Sequence, residues 1–114
     1  MKEFIKVMKA MSDPNRVRIV KLLQLKALCV CEIQELLGLA QSTVSKHLKV
    51  LDEAGLISSS RDGGWVIYSV SAIENSDHVN VLLHEMREWV EDDLVYVEMK
   101  QRLPFVDRVR ISAG

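Results

Sequence analysis

Apolar residues return at helical spacing along most of the chain, and that spacing predicts where its helices lie. Phe4, Ile5, Val7, Met8 and Met11 gather on one side of a helix over residues 3 to 11. In "SDPNRVRIVKLLQL", Ser12 or Asp13 can cap a second helix, and Pro14 takes its first position, where the missing N–H is not needed. Val17, Ile19, Val20, Leu22 and Leu23 then spread over so wide an arc that most of this helix belongs in the core. "VCEIQELLG" predicts a short helix that Gly38 closes, with Ile33, Leu36 and Leu37 turned inward. A short turn, Leu39 to Gln41, separates it from "STVSKHLKVLDEAG", which aligns Val44, Leu48, Leu51 and Ala54 on one face and stops at Gly55.

The pattern then changes. Leu56 and Ile57 lead into "SSSRDGGWVIYSV", where Asp62-Gly63 marks a hairpin with a two-residue turn between two strands. Beyond it, Val79, Leu82, Leu83, Met86, Trp89, Val90, Leu94 and Val97 keep helical spacing, which predicts one long acidic helix that Pro104 ends near Leu103. Two helices across a tight turn, followed by a hairpin, make a winged helix-turn-helix. The predicted class is therefore mainly α with a small β-hairpin (α+β). The apolar stripe of the long helix needs a cover, which a second copy of the chain would supply, so the fold is expected to be dimeric. One domain, 1–103, accounts for these elements and leaves "PFVDRVRISAG", 104–114, as a C-terminal tail.

Charge narrows the partners. Net charge is −1, which by itself argues against a nucleic-acid binder. The distribution reverses that reading: residues 1 to 61 hold 10 Lys/Arg against 6 Asp/Glu, and residues 62 to 114 hold 5 against 10. The first half can face phosphates. No run approaches the roughly 20 apolar residues of a membrane span, and "MKEFIKVMKAM" lacks the features of a secretory signal, so a soluble cytoplasmic protein with no membrane partner is expected. The chain has two cysteines, Cys29 and Cys31, and in a reducing compartment so close a pair points to metal binding or redox chemistry.

"QSTVSKHLKVLDEAGLI", the hairpin "RDGGWVIYSV" and "LCVCEI" together resemble the ArsR/SmtB family of winged-helix repressors, in particular its arsenite-responsive branch. The resemblance spans roughly residues 4 to 100 and is most specific at Ser45 to Leu48, the "LDEAGLI" that follows, and Cys29 to Glu32. It implies a homodimer, paired through its first and last helices, that holds double-stranded operator DNA with inverted half-sites and lets go when a toxic metalloid or metal binds. No cofactor is then needed for DNA binding, and As(III) or Sb(III) is the inducer. The side of the recognition helix opposite Val44, Leu48 and Leu51 carries Gln41, Ser42, Thr43, Ser45 and Lys46, which suit the major groove. Lys49 and Arg61 suit phosphates. His47 is expected to turn into the fold.

Two readings of the cysteines compete. In one, Cys31 is a substituted helix cap with Gln34 as its partner, and Cys29 is a small apolar residue near the surface. In the other, the helix N-terminus lowers the thiol pKa and the pair takes a thiophilic ion, Cys29 and Cys31 being the metal ligands. Residues i and i+2 do not meet on a helix, so one ion on both sulfurs is expected to require an extended or unwound chain here, disturbing the helix that supports the recognition helix. Gln34 stands where the best-known arsenical pattern has a third cysteine, which leaves a hydroxide or a small cellular thiol to complete the shell. The resemblance also disfavours cadmium and lead sensing, which in this family recruits further cysteines near the N-terminus, because residues 1 to 28 hold none.

The alternatives keep a repressor and change its signal: oxidation of the two thiols, or zinc held by the last helix through Asp77, His78, His84, Glu85 and Glu88. Their spacing does not match the family's zinc sensors. A thiol oxidoreductase would want C-x-x-C near a βαβ unit, and no phosphate loop, paired-carboxylate site or Ser/His/Asp arrangement is present, so no enzyme is expected.

Overall fold

The computed structural model describes residues 1–71 and 77–113. Its order is α1 (Lys2–Ala10), α2 (Pro14–Leu25), β1 (Leu28–Cys29), α3 (Val30–Leu37), α4 (Gln41–Glu53), β2 (Ile57–Asp62), β3 (Trp65–Val70), α5 (Asp77–Met86), α6 (Leu94–Arg102), a 3-10 turn (Leu103–Phe105) and α7 (Arg108–Ala113). The class is mainly α with a small antiparallel sheet, as the spacing predicts.

Helix α2 is the centre. Asp13 caps it, accepting from the N–H groups of Asn15 at 2.8 Å and Arg16 at 3.2 Å, with Pro14 at the first position. Ile19, Val20, Leu22 and Leu23 are buried and join Ile33, Leu36, Val44, Leu48 and Leu51 in one core. Gly38 closes α3 in the left-handed conformation, φ +68°, which is why the chain can turn sharply into α4. Gln41 is the first residue of α4 rather than the last of the turn. The wing is the predicted hairpin, with Asp62 opposite Trp65 and Gly63-Gly64 as its two-residue turn, one position later than expected.

Three differences from the sequence reading matter. A third strand, β1, pairs with β3 (Leu28 opposite Tyr68, Cys29 opposite Ile67) and fastens the wing to the start of α3. The long acidic helix is broken into α5 and α6. Lys21 of α2 is 2 % exposed and must find partners for its ammonium. It donates to the Met86 carbonyl at 2.9 Å and pairs with Glu91 at 2.9 Å. In a continuous helix that carbonyl would be spent on the N–H of residue 90. Asp93 then caps α6 on the Tyr96 N–H at 2.9 Å. Of the expected stripe, Val79, Leu83 and Met86 are buried, whereas Leu94 faces out and α6 packs with Tyr96 and Met99 instead. Last, residues 104–113 fold back: Val106 is buried, Ile111 packs against the core, and α7 lies against α3.

Candidate nucleic-acid interface and thiol site

The polar side of α4 is free of the core for a local reason. Val44, Leu48 and Leu51 are three or four residues apart and take the buried face, so the residues between them must point away. Gln41, Ser42, Thr43, Ser45, Lys46 and Lys49 are all exposed, as is Arg61 beside the hairpin turn. The tip of the wing carries Asp62 next to Arg61, which dilutes its positive charge. His47 turns inward: its Nδ1 lies 3.3 Å from Nη1 of Arg16. Arg16 also donates from Nε to the Ala10 carbonyl at 2.7 Å and from Nη2 to the Lys9 carbonyl at 3.2 Å. One guanidinium thus closes the end of α1 and meets α4. Sequence reasoning missed this residue, since an arginine in the first turn of α2 carries no signal of a partner 31 positions away.

The cysteine pair lies at the seam between β1 and α3. Cys29, φ −86° and ψ 167°, is the extended cap residue of α3, and Cys31 is in its first turn. The capping box is therefore shifted from the expected Cys31 and Gln34 to Cys29 and Glu32: the Glu32 Oε1 accepts from the Cys29 N–H at 2.9 Å, and the Glu32 N–H faces the Cys29 sulfur. Pairing of Leu28 and Cys29 with β3 holds both extended, so the helix cannot begin before Val30. The same seam supplies the extended chain expected for one ion on both sulfurs, without unwinding α3. With one residue extended and the other helical, Cys29 Sγ and Cys31 Sγ already lie 2.8 Å apart, and both are free thiols.

Two further expectations fail on burial. Cys29 is 2 % exposed, not near the surface. Its thiol is pushed up to about 12, foremost by burial and then by the hydrogen bond with Cys31; the Glu32 N–H pulls the other way and loses. A helix N-terminus does not by itself make a reactive thiolate when the sulfur is out of water. Cys31 is half-buried and opens on a cleft of about 490 Å³ between α3 and α7, lined also by Gln34, Glu35, Arg110 and Ile111. Across α3, Arg102 of α6 donates to the carbonyls of Leu36 at 3.3 Å and Glu35 at 3.0 Å, satisfying the last turn of the helix.

The zinc alternative finds no assembled set. Among the described residues no group of three or more His, Cys, Asp or Glu comes together. His78 packs edge-on against Phe4 with ring centres 5.7 Å apart, and His84 contacts Arg87. No helix among the described residues is long and apolar enough to cross a membrane. Phe4, Ile5 and Met8 of α1 are exposed, as are Trp89 and Val90 after α5.

Comparison with known proteins gives a consistent picture. Residues 13–59 match the model of the arsR family of bacterial regulatory proteins. Over 102 residues, 84% of this chain and 79% of the relative, the sequence is 35% identical to the arsenic resistance transcriptional regulator ArsR1 of Pseudomonas putida. It is 38% identical over 78 residues to the arsenical resistance operon repressor of Bacillus subtilis, covering 68% of this chain and 70% of that one. Among solved structures, the homodimeric winged helix-turn-helix DNA-binding domain Mb0332 of Mycobacterium bovis shares the fold, with TM-score 0.66, 24% identity and 82% of each chain covered.

Proposed function

This chain belongs to the ArsR family of bacterial transcriptional regulators, and from that premise we propose that it is a homodimeric repressor released from its operator when As(III) or Sb(III) binds Cys29 and Cys31. The observation that carries the reading is the 2.8 Å approach of the two sulfurs at the N-terminus of α3, the helix packed directly against α4. An atom bonded to both sulfurs must part them, and we take this to shift the first turn of α3, which carries Cys31. Leu36 and Ile33 tie that shift to the core beneath α4.

The high Cys29 pKa is compatible with this chemistry. Arsenous acid, As(OH)3, exchanges each hydroxide for a sulfur, and each departing hydroxide leaves as water with the thiol's proton. The exchange neither consumes nor releases protons overall, so a protonated thiol is no handicap. On the DNA side, Gln41, Ser42, Thr43, Ser45 and Lys46 enter the major groove, and Lys49 and Arg61 meet phosphates. Dimerisation through α1 and the α5 side covers Phe4, Ile5, Met8 and Trp89, which are exposed in the single chain. By linkage, operator DNA weakens metalloid binding by the factor with which the metalloid weakens DNA binding, about 5- to 150-fold for typical couplings.

The test is fluorescence anisotropy of a labelled inverted-repeat duplex from the protein's own promoter region, under reducing conditions. Wild type binds and arsenite releases it, whereas a Cys29→Ser/Cys31→Ser variant stays bound. Arsenite leaving wild type on the DNA overturns the metalloid reading. Release by a mild oxidant alone, with none by arsenite, replaces it with thiol oxidation, which the same sulfur approach would serve.

A further inference from the structure

The cleft beside Cys31 has a use that the thiol pair alone does not give it. As(III) and Sb(III) prefer three sulfur bonds in a pyramid, and the chain has two sulfurs of the thiolate-forming kind, both already committed at one end of α3. Cys29 is closed off by the core. Cys31 is the open member, and the face it presents is a space of about 490 Å³, large enough for a molecule of tripeptide size. Its walls are charged in opposite senses: Glu35 on α3 and Arg110 on α7. Arg110 donates from Nη2 to the Phe105 carbonyl at 2.7 Å, which anchors the side chain while spending one of the five donors a guanidinium carries. A basic group and an acidic group flanking an open thiol match a small thiol that itself carries carboxylate and ammonium groups.

We propose that this cleft binds a small zwitterionic thiol whose sulfur supplies the third bond to the metalloid held by Cys29 and Cys31. The inference rests on the metalloid reading above. The step is an exchange without change of oxidation state. Arsenous acid gives up three hydroxides, the thiols of Cys29, Cys31 and the incoming molecule each give up a proton, three waters leave, and arsenic remains trivalent. Arg110 takes the carboxylate of the incoming thiol and Glu35 its ammonium group. The segment after Pro104 thereby becomes part of the inducer site, although it lies at the far end of the chain from the cysteines.

The experiment is native mass spectrometry of the full-length protein with stoichiometric arsenite and reduced glutathione as the probe thiol, repeated with 2-mercaptoethanol and with Arg110→Ala. The expected result is one arsenic carrying one glutathione per chain in wild type, little retention of 2-mercaptoethanol, and about tenfold less glutathione retained by Arg110→Ala, the size expected of one charge-assisted hydrogen bond. Arsenic bound with no glutathione overturns this inference and leaves the metalloid reading standing. So does equal retention of glutathione by Arg110→Ala. Absence of arsenic from wild type under every condition overturns both. Circular dichroism of Arg110→Ala establishes that the variant is folded, and Glu35→Gln, which leaves α7 untouched, provides a second change on the opposite wall with the same expected loss.

Discussion

Arg18 of α2 holds Asp93 at the head of α6 with both arms of its guanidinium, Nε to Oδ2 at 2.8 Å and Nη2 to Oδ1 at 3.0 Å. The pair joins residues 75 positions apart and sits at the point where a continuous helical pattern is interrupted. Asp93 also caps α6 through the Tyr96 N–H, so one carboxylate fixes both the end of the break and its position on α2.

Replacing Asp93 with Ala removes the cap and the ion pair together, and a loss of about 1–2 kcal/mol in urea unfolding is expected. Asp93→Asn keeps a cap acceptor and should lose less. The pH dependence has a definite sign. Arg18 holds the Asp93 carboxyl below the usual carboxylate range, so its contribution is present above about pH 4 and fades as pH falls through the lowered native value. Wild type and Asp93→Asn should therefore converge in stability on acidification; parallel curves would mean the pair contributes nothing.

Burial of the Cys29 thiol has an alkaline counterpart. Its pKa of about 12 in the fold exceeds that of a free thiol, so between about pH 9 and 12 the unfolded chain binds fewer protons and stability declines as pH rises, by at most about 1.4 kcal/mol per pH unit from this group. Chemical denaturation of wild type and Cys29→Ala across this range should show the shallower slope in the variant. Equal slopes would show that the sulfur is not kept protonated by the fold.

The same thiol separates two kinds of ligand. Arsenous acid brings its own proton acceptor and should bind with an affinity nearly constant from pH 6 to 8. A divalent cation such as cadmium must displace the protons into solution, so its affinity should climb with pH. Titrations followed by sulfur-to-metal charge-transfer absorption check both, and a steep pH dependence for arsenite would contradict the exchange chemistry.

For the DNA face, Lys49→Ala should weaken duplexes of all sequences alike and reduce the salt slope by about one phosphate contact. Gln41→Ala should relax the choice of base at one position per half-site by about 1–3 kcal/mol. Anisotropy titrations over a salt series, with single-base variants of the duplex, distinguish the two; a uniform loss for Gln41→Ala would remove it from base recognition.

What the sequence determined by itself was most of what depends on neighbours within a turn or two. Asp13 and Pro14 start α2, Gly38 ends α3, Val44, Leu48 and Leu51 orient α4, and the glycines after Arg61 place a hairpin to within one residue, because caps, helix faces and tight turns are local physics. The exposed face of α4 follows directly, since its residues are whatever the buried face leaves over. Three things were decided by the tertiary structure alone. The pairing of Leu28 and Cys29 with β3 is a two-residue strand with no period of its own, and it alone fixes which cysteine caps α3 and brings the sulfurs together. The break at residues 87–93 is invisible in an unbroken apolar pattern, because its cause is a buried lysine on α2 that needs a carbonyl and a carboxylate. Arg110 reaches the cleft beside Cys31 only because Val106 and Ile111 pack back on the core, and packing across 79 residues of chain leaves no mark in local spacing.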